Sequence, residues 1–183
     1  QDEDTASIVS LGLRYEAPSG NNDVLQGQWG GGGSGLINPF LSAAKGFGDF
    51  HVQMYTGPRV AISGVDSSYW DFNLHTDYRI PWMNLYPLFE FNLVQTYDGG
   101  TRLPINQEGN DLVNLGSHYA SGNTVATTAF GARWRACEWI DFGLTAEVPV
   151  TQSEGLLGWR ITSDVVIRPF GFKLPPWPWL TGA

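Results

Sequence analysis

Seven arginines and seven carboxylates sit on the polar phase of stretches that alternate apolar and polar residues. They are Arg14, Arg59, Arg79, Arg133, Arg135, Arg160 and Arg168, against Glu16, Asp71, Asp77, Glu90, Asp141, Glu147 and Asp164. A balanced set of guanidinium and carboxylate groups confined on one face pairs up, because charges taken out of water are tolerable only with partners. The chemistry expected of them is therefore ion pairing rather than bond making. The three histidines are His51, His75 and His118. Asp71 or Asp77 could orient His75, as a general base requires. A structural role is nevertheless the expectation, since His75 lies mid-segment among paired charges and His118 in a long connection. No two histidines share a ligand spacing and Cys137 stands alone, which leaves no metal site and no internal disulfide. The loop from Asp98 to Asp111 contains Asn106, Glu108 and Asn110, oxygens of a kind that suit calcium, but a solvated loop is expected there. The chain is thus read as non-enzymatic and without cofactor.

The elements that position these residues are strands. The cleanest segment is Asp71, Phe72, Asn73, Leu74, His75, Thr76, Asp77, Tyr78, Arg79, Ile80; another is Phe50, His51, Val52, Gln53, Met54, Tyr55, Thr56. Successive side chains of a strand point to opposite faces, so such a segment has one charged face and one uncharged face. Eight strands are expected, at 7–17, 37–45, 50–62, 69–80, 85–96, 124–135, 140–150 and 157–168, with no charge on the apolar face. Pro58 cannot donate to a ladder and is expected to mark a bulge or bend. Connections one, three, five and seven (18–36, 63–68, 97–123 and 151–156) include the two longest, whereas 46–49, 81–84 and 136–139 are tight. Outer-membrane barrels show that asymmetry, with long extracellular loops and short periplasmic turns.

Composition agrees. Of 183 residues only 15% are charged and 14% are aromatic, with eight Trp and 23 Gly. Tyr69, Trp70, Tyr97 and Trp159 are expected at the long-loop ends of their strands, and Trp82, Tyr86, Trp134 and Trp139 near the tight turns. Two aromatic belts are what the interfaces of a bilayer select. No stretch of 18 apolar residues exists, which excludes a helical span. A net charge of −8 without a basic stripe excludes nucleic acid as a partner. Residues 1–170 are read as one β-barrel domain with a presecretory leader removed, and 171–183 as a Pro- and Trp-rich tail. Phe170 or Phe172 would provide the terminal aromatic read by the insertion machinery. The run from Gly30 to Gly35 is no phosphate cradle, because neither Lys-Ser/Thr nor a helix follows it.

Two parts of the chain resemble outer-membrane proteins of the MetA-pathway-of-phenol-degradation type. One is Leu11-Gly-Leu-Arg-Tyr-Glu-Ala-Pro-Ser-Gly20 together with Ile37-Asn-Pro-Phe-Leu-Ser-Ala-Ala-Lys-Gly-Phe-Gly-Asp-Phe-His51; the other runs from Leu144-Thr-Ala-Glu-Val-Pro-Val150 to the segment Trp159–Phe170. The resemblance covers about half of the chain. It implies a transmembrane barrel that passes hydrophobic or aromatic compounds, and it carries over no site residues.

The sequence as a whole is read as an all-β, antiparallel transmembrane barrel of the bacterial outer membrane, with the lipid bilayer as its partner. Its function is then passive transport of small solutes or a structural role. The polar residues of the lumen are taken as the fourteen paired charges above, less Arg168, together with His51 and His75. An eight-stranded interior is only wide enough for its own side chains, so these would form a salt-bridged plug or leave a narrow polar path. Two alternatives are a scaffold that docks outer-membrane or periplasmic subunits through its tail, and a soluble lipocalin-like binder with its apolar face turned inward.

Overall fold

The alternating segments form one antiparallel sheet. A computed structural model describes residues 7–18, 35–109, 113–151 and 158–168. Its strands are β1 (Ser7–Glu16), β2 (Leu36–Phe47), β3 (Phe50–Ala61), β4 (Ser68–Tyr78), β5 (Leu85–Asp98), β6 (Thr124–Cys137), β7 (Ile140–Pro149) and β8 (Arg160–Ile167). They pair in chain order into a single eight-stranded sheet, each strand antiparallel to the next. No helix occurs among the described residues. The sheet is not closed, because no pairing joins β1 to β8, yet it curls far enough for residues of both edges to line one cavity.

The two faces follow the sequence parity. Leu11 (84% exposed), Leu13, Phe130, Leu144, Ile161 and Val165 stand on the outer face and are all exposed. The largest fully buried side chains are instead mostly polar, among them Glu108, Asn38, Thr96 and Asp141. This is the inverse of a water-soluble domain, in which apolar side chains are the ones most often buried.

Four local expectations are corrected by the structure. Lys45 pairs with the outward-facing Ser7 and lies on the apolar face, its ammonium 5.4 Å from the Phe47 ring centroid. Its position close to the β2–β3 turn suits a long cationic stem lying along apolar surface with its head at the edge. Pro58 makes no bulge: β2 and β3 hold one register on both sides of it, and the ladder merely opens there. That register sets Pro58 opposite Pro39, and neither has an N–H to donate. The Asn38 side chain fills the gap, its Nδ2 donating to the Pro58 carbonyl at 2.8 Å while its Oδ1 accepts from the Tyr55 hydroxyl at 2.6 Å. Tyr69 and Tyr86 share the parity of the inner charges and so leave the aromatic belts. Tyr69 is wholly buried with the Arg59 guanidinium 4.9 Å from its ring, and Tyr86 carries Arg135 at 5.3 Å. Trp70, Tyr97, Trp159, Trp82, Trp134 and Trp139 are exposed.

Tight connections lie at one end of the sheet. Gly48, with φ of +64°, sits in the left-handed region in the turn between β2 and β3, where a side chain would be strained. The long connections lie at the other end. Residues 1–6, the loop segment 19–34 with most of the glycine run, Asn110, residues 152–157 and the tail with Phe170 and Phe172 are outside the described residues.

Candidate functional site

Because every second side chain of a strand faces inward, the sheet register alone decides which inner groups meet. His51 of β3 lies opposite Asp77 of β4, and His75 of β4 lies opposite Glu90 of β5. His75 and Asp77, two residues apart on β4, share the inner face. The result is a continuous row. His51 Nδ1 is 2.8 Å from Asp77 Oδ1, His75 Nε2 is 3.3 Å from Asp77 Oδ2, and His75 Nδ1 is 2.8 Å from Glu90 Oε1. A neutral imidazole has one N–H and carboxylates only accept, so satisfying both contacts of His75 takes a proton shared among the three groups.

The arginines are paired by the same geometry. Arg59 Nε lies 2.7 Å from Asp71 Oδ2 and its Nη2 donates to Oδ1 at 2.9 Å, a bidentate contact between β3 and β4. Across β7 and β8, Arg160 donates to Glu147 at 2.6 and 2.8 Å, and Glu147 also accepts from Thr127 Oγ1 at 2.5 Å. Arg133 reaches over from β6 to Asp164 on β8 at 2.9 Å. Asp141, almost wholly buried, holds both Arg135 and Arg168.

These groups surround a cavity of about 1090 Å³. Of the residues assigned to the lumen from sequence, Arg14, Glu16, His51, Arg59, Asp71 and His75 line it. So do Asp77, Glu90, Arg133, Arg135 and Asp141, and likewise Glu147, Arg160 and Asp164. Arg79 does not. It follows the end of β4, is exposed, and its backbone N–H donates to the Asp49 carbonyl at the turn end of the sheet. Arg168 joins the lining, although the lumen set expected from sequence omits it.

Sequence reasoning weighted charge and so passed over the uncharged polar groups that complete the lining. Asn73 Nδ2 donates to Asn92 Oδ1 at 2.8 Å, and Asn92 reaches Glu147 at 3.5 Å, which joins the β4–β5 wall to the β6–β8 wall. Their signal was present, since Asn73 and Asn92 share the parity of Asp71 and Glu90.

At the long-loop end the connection is exposed over residues 104–107, Asn106 included, as a solvated loop would be, but Glu108 departs from that expectation. Glu108 is 1% exposed and accepts hydrogen bonds from Ser67 Oγ (2.7 Å), Gly109 N (2.9 Å), Leu115 N (2.6 Å) and Ser117 N (3.1 Å). Asn114 binds both backbone groups of Ser67, and Arg102 pairs with Asp66 at 2.6 Å. Glu108 is thus the internal anchor that folds connection 99–123 against connection 62–67. Burial holds the Asp66 carboxyl above the usual carboxylate range; Arg102 opposes this and Glu108 adds to it. Among the described residues no group of three or more His, Cys, Asp or Glu has metal-binding geometry. His118 stacks edge-on against Tyr119, 4.8 Å between centroids, away from the histidine row.

No protein-family model matches the chain, and no curated protein or solved structure matches it.

Proposed function

We propose that this chain is an outer-membrane β-barrel that passes small polar solutes without chemistry. The observation that carries the reading is the inverted arrangement of the sheet. Charged side chains line a cavity of about 1090 Å³, while large apolar side chains of every strand face outward. An apolar exterior whose mid-strand positions carry no charge among the described residues suits hydrocarbon, in which a sheet must also satisfy its edges, so β1 and β8 close on each other in lipid. A lipocalin-like binder would need the apolar face around the cavity, the opposite parity. The resemblance to phenol-degradation barrels points to aromatic solutes, but the lining supports polar ones, since an aromatic ring cannot replace the hydrogen bonds of a carboxylate and arginine wall.

The extent of ion pairing favours one second reading, a salt-bridged plug in a barrel of structural or scaffolding role. Conductance of the detergent-refolded protein in a planar bilayer separates the two. Discrete, steady openings are expected for a polar path. Stable insertion without current would overturn transport and leave the plug.

A further inference from the structure

The lining charge is close to zero and its sign is held by two histidines. Six arginines and seven carboxylates line the cavity among the described residues, together with His51 and His75. With both imidazoles neutral the balance is −1; with both protonated it is +1. The imbalance is also local. On the β6–β8 wall, Asp141, Glu147 and Asp164 are all bonded by arginine. On the β3–β5 wall, Arg59 takes up Asp71, and the only cationic side chains bonded to Asp77 and Glu90 among the described residues are the two imidazoles.

We propose that the cavity is an ion-selective passage for small inorganic and organic ions, cation-selective when the His51–Asp77–His75–Glu90 row is deprotonated and anion-selective when it is protonated. The proposal rests on the transport reading above. In a narrow, low-dielectric passage a single uncompensated charge decides which ion is drawn in, because the field is focused rather than screened. The surroundings leave the row in control. His51 is opposite Gly46 on β2 and Asp77 on β4, and His75 is opposite Gln53 on β3 and Glu90 on β5. From the far wall Arg133 and Arg160 act on Glu90, and both are permanently charged. Imidazole is therefore the lining side chain whose charge changes between about pH 5 and about pH 8, where arginine and ionised carboxylates keep theirs.

The test is the reversal potential of the refolded protein in a planar bilayer under a roughly tenfold KCl gradient, compared at about pH 9 and about pH 5.5. The expected result is a potential of cation-selective sign at the higher pH that changes sign at the lower. The variant His51→Asn/His75→Asn should stay cation-selective at both, and Asp77→Asn/Glu90→Gln anion-selective at both. Arg79→Gln, outside the cavity, should behave as wild type. A current whose sign is the same at both pH values, or a histidine variant that still switches, overturns this proposal while leaving a pore. Inserted wild-type protein that carries no current overturns the transport reading and this proposal with it.

Discussion

Replacing Glu108 with alanine removes the most heavily hydrogen-bonded side chain among the described residues of the long-loop end of the sheet. Its carboxylate is 1% exposed and accepts from one hydroxyl and three backbone N–H groups, none of which has another route to water while the loop stays folded. A hydrogen bond to a charged acceptor contributes about 1.5–3 kcal/mol, and a buried donor left without a partner costs about 1–3 kcal/mol. The four cannot be added in full, because Ser67 Oγ still accepts from Gly100 N and the hydroxyl can turn. A loss of about 3–5 kcal/mol is expected, in line with breaking a buried ionic contact. No strand ladder runs through Glu108, so the loss appears as local opening of 99–123 and not as unfolding of the sheet. At about 1.4 kcal/mol per decade, exchange of the Leu115 and Ser117 amides should quicken roughly a hundredfold to a few thousandfold, with strand amides unchanged. Glu108→Gln should fall between, since its amide nitrogen cannot accept from a backbone N–H. Leu115 and Ser117 amides that exchange within about threefold of wild type in Glu108→Ala would mean that Glu108 does not hold this loop closed.

Three further outcomes are expected. Leu11, 84% exposed at the middle of β1, should tolerate arginine with a change of only about 0.5 kcal/mol if it faces water and lose about 2–4 kcal/mol if it faces hydrocarbon; the refolding midpoint of Leu11→Arg in vesicles is expected to show the larger loss. Asp66 is held above the usual carboxylate range by burial, so its proton favours the folded loop. That contribution is complete below the ordinary Asp titration and is lost as pH rises through the raised value, so protection of the Arg102 amide should fall as pH rises above the ordinary Asp range and Asp66→Asn should flatten the slope; protection that rises with pH in wild type would contradict this. A Cβ on Gly57 would stand 2.3 Å from the Pro39 carbonyl oxygen, a backbone atom that cannot turn away, whereas one on Gly64 meets nothing. Gly57→Ala should therefore cost about 1–3 kcal/mol in urea unfolding and Gly64→Ala about 0.5 kcal/mol at most.

Most of the sheet is legible in residue parity alone. Once Leu11, Leu13 and Tyr15 take one face of β1, Arg14 and Glu16 must take the other, and the same logic fixes the two faces of every strand. Ends are less legible. Arg79 follows the alternation of β4 but lies past its last paired residue, where parity no longer points inward. Tyr69 and Tyr86 lie close to strand ends, which suggests the belts, although their parity with Asp71 and Glu90 places them inside. Lys45 shows the converse, a charge whose parity is apolar but whose place near a turn lets its stem lie along the surface. The pairing of His51 with Asp77 and of His75 with Glu90 is out of reach of the sequence, which gives each strand's phase but not its register against the next. Glu108 is invisible for a different reason. A loop folded by one carboxylate has no period, and only its partners at Ser67, Leu115 and Ser117, apart from it in the chain, reveal it.

The most direct test of the central claim, a polar interior inside a lipid-facing exterior, is collision accessibility of spin labels along β4. With Cys137 replaced by alanine, single labels at positions 72, 74 and 76 and at 73, 75 and 77 would be compared in bilayers for access to oxygen and to a water-soluble nickel complex. A period of two is predicted, with the even positions exposed to oxygen in lipid and the odd ones to nickel in water. Equal nickel access at all six positions, or the opposite phase, would contradict a membrane barrel.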